Sequence, residues 1–405
     1  MSSPPVVYLD TQDYSRFGDV LRGVSKDASV ERLFDTLEAR KKSGDVIFAV
    51  SMPILGELLQ YNKDFRETTL KKAEAVERLC GVWALPYPTR LIAAEVAMAA
   101  QCLGLSTTSK EISVMSSDRY WHPNIEDVFD DLGAQIRQSW DAEIAALGSR
   151  ALRRRAARQL HKLDFLKVAS AAAPEIAAKH GLPPQAIVHA LVPFLRGAIT
   201  SAEASRRLFA YFAEPVSFVK IYFERPGTDA TLPQWIDKLS KEVQRSLVEF
   251  QNQIRSLGEM KITTEEVDNL YLDTARRQGQ KIVRSAINDA DEFGIDRTLF
   301  ERFATEPLLF AEVPAGEIAG AVLKSHLVKI VGQRMQAQAN IDGSSGGDLF
   351  HAMYLPHVDL WRGDKKFSQL IQSAVPRYAD RVVPLLTDLP ARIDAWWTAT
   401  SRRFI

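Results

Sequence analysis

The chain has 405 residues, 46% of them hydrophobic and 25% charged, with 51 basic side chains balancing 51 acidic ones. That length exceeds a usual single domain, so two domains or a core with a large insertion are expected, and the apolar share is ample for a buried core. The zero formal net charge excludes a global basic field, so any nucleic-acid contact must rest on local patches. Two cysteines, Cys80 and Cys102, are too few for a zinc framework or a disulfide scaffold. Both lie in apolar helical contexts and read as buried thiols, which suits a reducing cytoplasm. No basic-then-apolar leader opens the sequence, and the longest apolar candidate, LIAAEVAMAAQCLGL, is interrupted by Glu95. Neither secretion nor a membrane partner is expected.

In chain order, VVYLD reads as a short β-branched strand, and DVIFAVS as a second strand buried on both faces. Between them, ASVERLFDTLEARKKSG places Val30, Leu33, Phe34 and Leu37 at helical spacing before a glycine stop. Pro53 fits the first turn of a helix over MPILGELLQY, ETTLKKAEAVERLCGVWALP continues the helical pattern, and Thr89 is a candidate cap for RLIAAEVAMAAQCL. From about residue 106 helical periods dominate, with SFVKIYF as a short apolar stretch among them. They run through IEDVFDDLGAQIRQSW, an Arg/Ala/Leu segment, PPQAIVHALVPFLRGAI, LPQWIDKLSKEVQRSLVEFQNQIRSL and TTEEVDNLYLDTARRQGQKIVRSAI, the last capped by Thr263 or Thr264. AEVPAGEIAGAVLKSHLVKIVGQRMQAQ then reads as a long helix, NIDGSSGGD as a loop, HVDLW as a strand, and RVVPLLTDLPARIDAWW as a short strand and terminal helix.

This order predicts an α/β fold, a parallel central sheet flanked by helices, interrupted by a mostly α-helical insertion. The core would comprise residues 1–105 and 305–405, with the insertion at 106–304. Closure entropy grows slowly enough with loop length for a surface connection to absorb so many residues.

The chemistry lies in acids at element ends. Asp10 ends the first strand, Glu57 rides the helix after the second, Asp348 opens a late helix, and Asp364 follows the HVDLW strand. Acids so placed can converge at the carboxyl end of a parallel sheet, where α/β folds hold metals and ligands. Each also has a plainer role: Asp10 as a turn former, Glu57 as a solvated helix residue, Asp348 as an N-cap. Asp359 alternates with Val358 and Leu360 and so points either into the site or away; Asp13 and Glu95 are further acids in reach. Thr11 either donates to a ligand carboxylate or forms a turn. His351 and His357 flank the same segment, as ligand-side contacts or as hydrogen-bonded structural residues.

Carboxylates gathered in one pocket repel unless cations neutralise them. An all-oxygen set selects Mg²⁺ or Mn²⁺ over Zn²⁺, ions that support hydrolysis of phosphodiesters. For nucleic-acid contact the candidates are Arg362, Lys365 and Lys366 beside Asp364, and the basic helix SRALRRRAARQLHKLDFLK with Arg150, Arg154, Arg158 and Lys162 four residues apart. Leu152, Ala156, Leu160 and Leu163 form its apolar stripe. Such a face also suits an acidic protein partner, as an inhibitor would be, or an anionic surface, or is simply solvated. A phosphate-binding loop, a G-x-S-x-G elbow, H-E-x-x-H and a Cys–His grouping are all absent from the sequence.

VVYLDTQ, VSMPILGELL and GDLFHAMYLPHVDLWRGD together resemble the motif blocks of PIN-domain nucleases. In that family an Asp ends the first strand, a Glu follows a Ser by six positions, a third acid opens a later helix and a fourth follows a strand. The resemblance places those roles on Asp10, Glu57, Asp348 and Asp364, with Asp359 as the first Asp of the last block. It implies a Mg²⁺- or Mn²⁺-dependent endonuclease, with RNA favoured over DNA because ribonucleases dominate the family. Arg362 stands where the family usually has a Thr. That departure keeps open a non-catalytic PIN-like scaffold acting through its helical insertion, and a structure-specific DNA nuclease would share the same acids.

Overall fold

The β-branched, apolar run Val6–Tyr8 forms the central strand, β1, of a three-stranded parallel sheet in the order β2-β1-β3. The computed structural model describes residues 3–59, 63–106, 112–123, 142–160, 184–211, 213–224, 279–332 and 345–401, with isolated positions between them. The chain clusters into two compact units, one of Met1–Pro123 with Gln234–Ile405, the other Asn124–Pro233.

In the first unit, β1 leads into α1 (Thr11–Leu21) and α2 (Ala28–Ser43). Asp27 caps α2 by accepting from Ser29 N–H, and Gly44 stops it at φ 81°, a left-handed position that favours glycine. The strand β2 (Ile47–Phe48) pairs with β1 in the register Val6↔Ile47 and Val7↔Phe48. Next come α3 (Met52–Leu58) with Pro53 in its first turn, α4 (Arg66–Cys80) and α5 (Pro88–Cys102). Pro88 itself opens α5, so Thr89 lies inside the helix and not at the cap position expected for it. Helix α4 packs on α1 through Gly18, where an added Cβ would lie 2.9 Å from Lys72 Cγ.

The second unit carries α6 (Arg150–Leu160), α7 (Pro184–Leu195), α8 (Ser201–Ala210) and α9 (Pro215–Glu224). Ile187, Leu191, Ala204 and Leu208 of α7 and α8 form its core with Phe129 and Ala173. The SFVKIYF stretch lies within helix α9; apolar runs this short do not separate strand from buried helix by pattern alone. The candidate elements at 125–140, 232–257 and the start of 263–287 lie mostly or wholly outside the described residues.

The chain returns to the first unit with a 3₁₀ segment, Ile287–Phe293, and α10 (Arg297–Thr305), α11 (Pro307–Phe310), α12 (Pro314–Gly332) and α13 (Ser345–Ala352). The boundaries expected at 106 and 304 therefore shift. Arg90 of α5 pairs with Glu292 at 2.7 Å and lies 4.1 Å over the Tyr120 ring, which ties both flanks of the insertion to the first unit. The strand β3 (Leu360–Trp361) pairs with β1 in the register Val7↔Leu360 and Tyr8↔Trp361, and α14 (Lys365–Ala374) and α15 (Leu389–Ser401) close the chain. Isolated bridges, Val50↔Ala84 and Trp361↔Val382, widen the sheet on both edges. The α/β architecture with a small parallel sheet among helices is the one expected. Cys80 is buried as expected, but Cys102, at the end of α5, is exposed. Among the described residues no helix is long and apolar enough to cross a membrane.

Candidate metal centre

All three strands run the same way, so their carboxyl ends deliver three segments to one edge of the sheet. From β1 comes Asp10, which starts α1 in extended conformation but makes no side-chain capping hydrogen bond. Forgoing a cap costs about 1 kcal/mol. From β2 the chain passes Ser51 and enters α3, which carries Glu57. From a third direction α13 brings Asp348 in its first turn and His351 one turn later, on the same helix face.

One donor atom from each of Asp10, Glu57 and His351 lies within 4.8 Å of the others. The His351 ring is 3% exposed, and its Nδ1 is 2.6 Å from the Tyr8 hydroxyl, itself 2.8 Å from Ser51 Oγ. Tyr8 stacks on Tyr354 and Trp361, and Trp361 Nε1 donates to the His351 carbonyl at 2.9 Å. The imidazole is thus clamped from several sides. Its Nε2 faces Glu57 Oε1 at 3.1 Å, an ion pair when the ring is protonated.

Charge is balanced tightly here. Burial raises the Asp10 pKa, an effect that His351 offsets, Glu57 reinforces and Arg362 opposes. Asp348 is pushed up to about 7, first by burial, against the pull of His351 and with the charges of Asp364, Asp10 and Glu57 adding to it. For His351 burial acts downward, yet Glu57, Asp10 and Asp348 carry it up to about 9. Burial acts upward on Glu57, but His351 and the Thr11 hydroxyl leave it below the ordinary value.

The predicted quartet converges only in part. Asp10 and Glu57 meet, whereas Asp348 and Asp364 stand outside the donor group; Asp348 bears on His351 through charge, and Asp364 on Asp348. Asp364 caps α14, accepting from Lys366 N–H at 2.6 Å and Phe367 N–H at 3.1 Å through Oδ1. Asp359 is not a ligand: its Oδ2 accepts from Val6 N–H at 2.8 Å, at the amino end of β1 and away from Asp10. The side chain of Glu95 is fully buried elsewhere, held by His357 Nε2 at 2.6 Å and Ala315 N–H at 2.8 Å at the start of α12. His357 therefore has the structural role, and His351 the one at the acids.

Arg362 is not the exposed nucleic-acid contact expected of it. It is 4% exposed and faces Asp13, whose side chain is fully buried, at 3.2 Å. Burial raises Asp13 to about 7, and Arg362 opposes that rise. The arginine that replaces the expected Thr thus meets a second buried acid one helical turn beyond Asp10, so the substitution comes with its own countercharge.

Lys365 and Lys366 are exposed beside Asp364. Lys366 also lines a groove of about 600 Å³ between α12 and α14 with Lys324, Ser325 and Gln369. On α6, Arg150 and Arg154 are exposed, but so is Leu152 of the expected apolar stripe, at 50%. Arg158 lies within α6, and Lys162 lies outside the described residues.

The donor set fits a divalent cation: two carboxylates and a buried imidazole nitrogen that faces one of them. It is not the all-oxygen set expected from the sequence. The signal for His351 was its spacing from Asp348, three residues along one helix. Comparison with protein-family models, with curated proteins and with solved structures returns no match for this chain.

Proposed function

We propose that this chain is a metal-dependent endonuclease with a PIN-like core, acting on phosphodiester bonds, with RNA as the favoured substrate. The observation that carries the reading is the meeting of Asp10 and Glu57 with His351, from three separate segments, at the carboxyl end of a parallel sheet. Asp10 and Glu57 would hold the ion, and Asp348 and Asp364 would hold its charge and its water shell from the next layer out. An ion there, Mg²⁺ or Mn²⁺, supplies water activation and neutralises charge on the scissile phosphate. Asp348, with a carboxyl near 7, can take and return a proton at neutral pH. Arg362 supports Asp10 from below through charge. Lys365 and Lys366, with Lys324 in the groove, offer positive charge to a strand leaving the acids.

The test is cleavage of single-stranded RNA by the full chain. Activity should require Mg²⁺ or Mn²⁺, stop with EDTA, and fall at least a hundredfold in Asp10→Asn and Asp348→Asn. Cleavage unchanged by both substitutions sinks the proposal, and preference for branched or nicked DNA redirects it to a structure-specific DNA nuclease.

One observation favours a second reading, a non-catalytic scaffold. His351 and Arg362 already place positive groups beside the acids, so the cluster can be neutralised without an ion. A scaffold of that kind would gain no thermal stability from Mn²⁺, whereas a working site would.

A further inference from the structure

We propose that His351 is itself a metal ligand, giving the site a face of two carboxylates and one imidazole that favours Mn²⁺ over Mg²⁺. This rests on the metal-site reading above and specifies which ion the site takes.

The geometry of the ring carries the inference. A ligating histidine usually has its second nitrogen tied by a hydrogen bond that fixes the tautomer and aims the ring. Here the Nδ1 contact to the Tyr8 hydroxyl at 2.6 Å does this, and Ser51 Oγ, 2.8 Å from that hydroxyl, continues the chain. The Trp361 indole holds the backbone of the same residue at 2.9 Å. These contacts leave Nε2, in a residue more than nine-tenths buried, directed at the acids, 3.1 Å from Glu57 Oε1. Two ligands on one ion at bond lengths of about 2.0–2.2 Å stand up to about 4.4 Å apart. The donor atoms of Asp10, Glu57 and His351 lie within 4.8 Å of one another, and Nε2 and Glu57 Oε1, at 3.1 Å, are inside that span.

Selectivity follows from the donor types. Magnesium is a hard ion bound through oxygen and water, whereas imidazole nitrogen favours first-row transition ions, increasingly so along the series from manganese. Replacing one oxygen donor by Nε2 therefore raises affinity for Mn²⁺ relative to Mg²⁺.

Pulsed EPR on the full chain loaded with Mn²⁺ alone reads the bond directly. Wild-type protein should show imidazole ¹⁴N modulation, changed in frequency by ¹⁵N-histidine labelling and absent in His351→Gln. Calorimetric titration with Mn²⁺ and Mg²⁺ should find the Mn²⁺/Mg²⁺ affinity ratio narrowed by about tenfold in that variant. If His351→Gln does not fold, Tyr8→Phe should weaken Mn²⁺ binding by loosening the ring, and the wild-type spectrum decides the ligand unaided. Mn²⁺ bound without nitrogen modulation overturns the His351 assignment and leaves the nuclease reading intact. No binding of either ion overturns both.

Discussion

Asp13 and Arg362 set the electrostatic floor of the site. Taking both charges out of water costs several kcal/mol each, which their attraction offsets only in good geometry. At 3.2 Å through one Arg362 nitrogen, with both Asp13 oxygens lacking hydrogen bonds, the pair is under-satisfied, consistent with the rise of Asp13 to about 7. The same sign holds at the neighbouring groups, and it predicts a pH dependence. Asp13 and Asp348 rise from an ordinary 3.8 to about 7, and His351 from 6.5 to about 9. Each therefore binds a proton more tightly folded than unfolded, so its contribution is complete at low pH and is lost as pH rises through the folded value. Glu57 works the opposite way, but only below its ordinary range. Metal-free protein should thus lose thermal stability steadily from about pH 5 to pH 9, and Mn²⁺ should restore most at the alkaline end. A melting temperature flat across that range would show that these groups are not strained. The place of Asp10 at the end of β1 was legible because a strand end is a local feature. The burial of Arg362 was not, since its partner lies in another segment.

At the scale of elements, very short strands do much of the positioning. β2 and β3 are two residues each, so their register rests on the side chains around them. Trp361, fully buried, stacks parallel to Tyr8 and anchors His351 through its indole N–H. Gly363 makes that packing possible: a Cβ there would lie 2.3 Å from Trp361 Cη2 and 2.8 Å from Cζ3. Gly363→Ala should therefore destabilise the chain by about 1–3 kcal/mol, as overpacked cores do, and weaken metal binding in the same protein because the displaced ring carries His351 with it. A urea midpoint and a Mn²⁺ titration measure the two effects; an unshifted midpoint would mean the indole has room to move. Element types were readable where the period was strong, as in α2 with Phe34 and Leu37 buried and Gly44 at its end. They were not readable at SFVKIYF, where an apolar run satisfies helix and strand alike and the surrounding helices of the second unit decided.

Two cores divide the whole molecule. The cluster around Ile187 and Leu191 belongs to the unit of Asn124–Pro233, while Asp10, Glu57 and His351 all belong to the other. Separate cores of this size unfold with limited cooperativity. Scanning calorimetry should resolve more than one transition, and, if the proposed site takes Mn²⁺, the ion should raise only the one belonging to the unit that carries Asp10, Glu57 and His351, by ligand linkage. A uniform shift of every transition would contradict that division.

What the sequence by itself determined is local: the apolar strands, helix starts and stops, and the acids that stand at element ends. Composition and the order of elements also pointed to a small parallel sheet interrupted by helices. Only the tertiary structure decided which of those acids share a pocket. It paired Arg362 with Asp13, set Asp359 on the far end of β1, turned Asp364 into a cap, and brought His351 to Asp10 and Glu57. The physical reason is range. Periodicity and capping act over a few residues, whereas Tyr8 and His351, 343 positions apart, touch only because three parallel strand ends and a late helix pack at one edge.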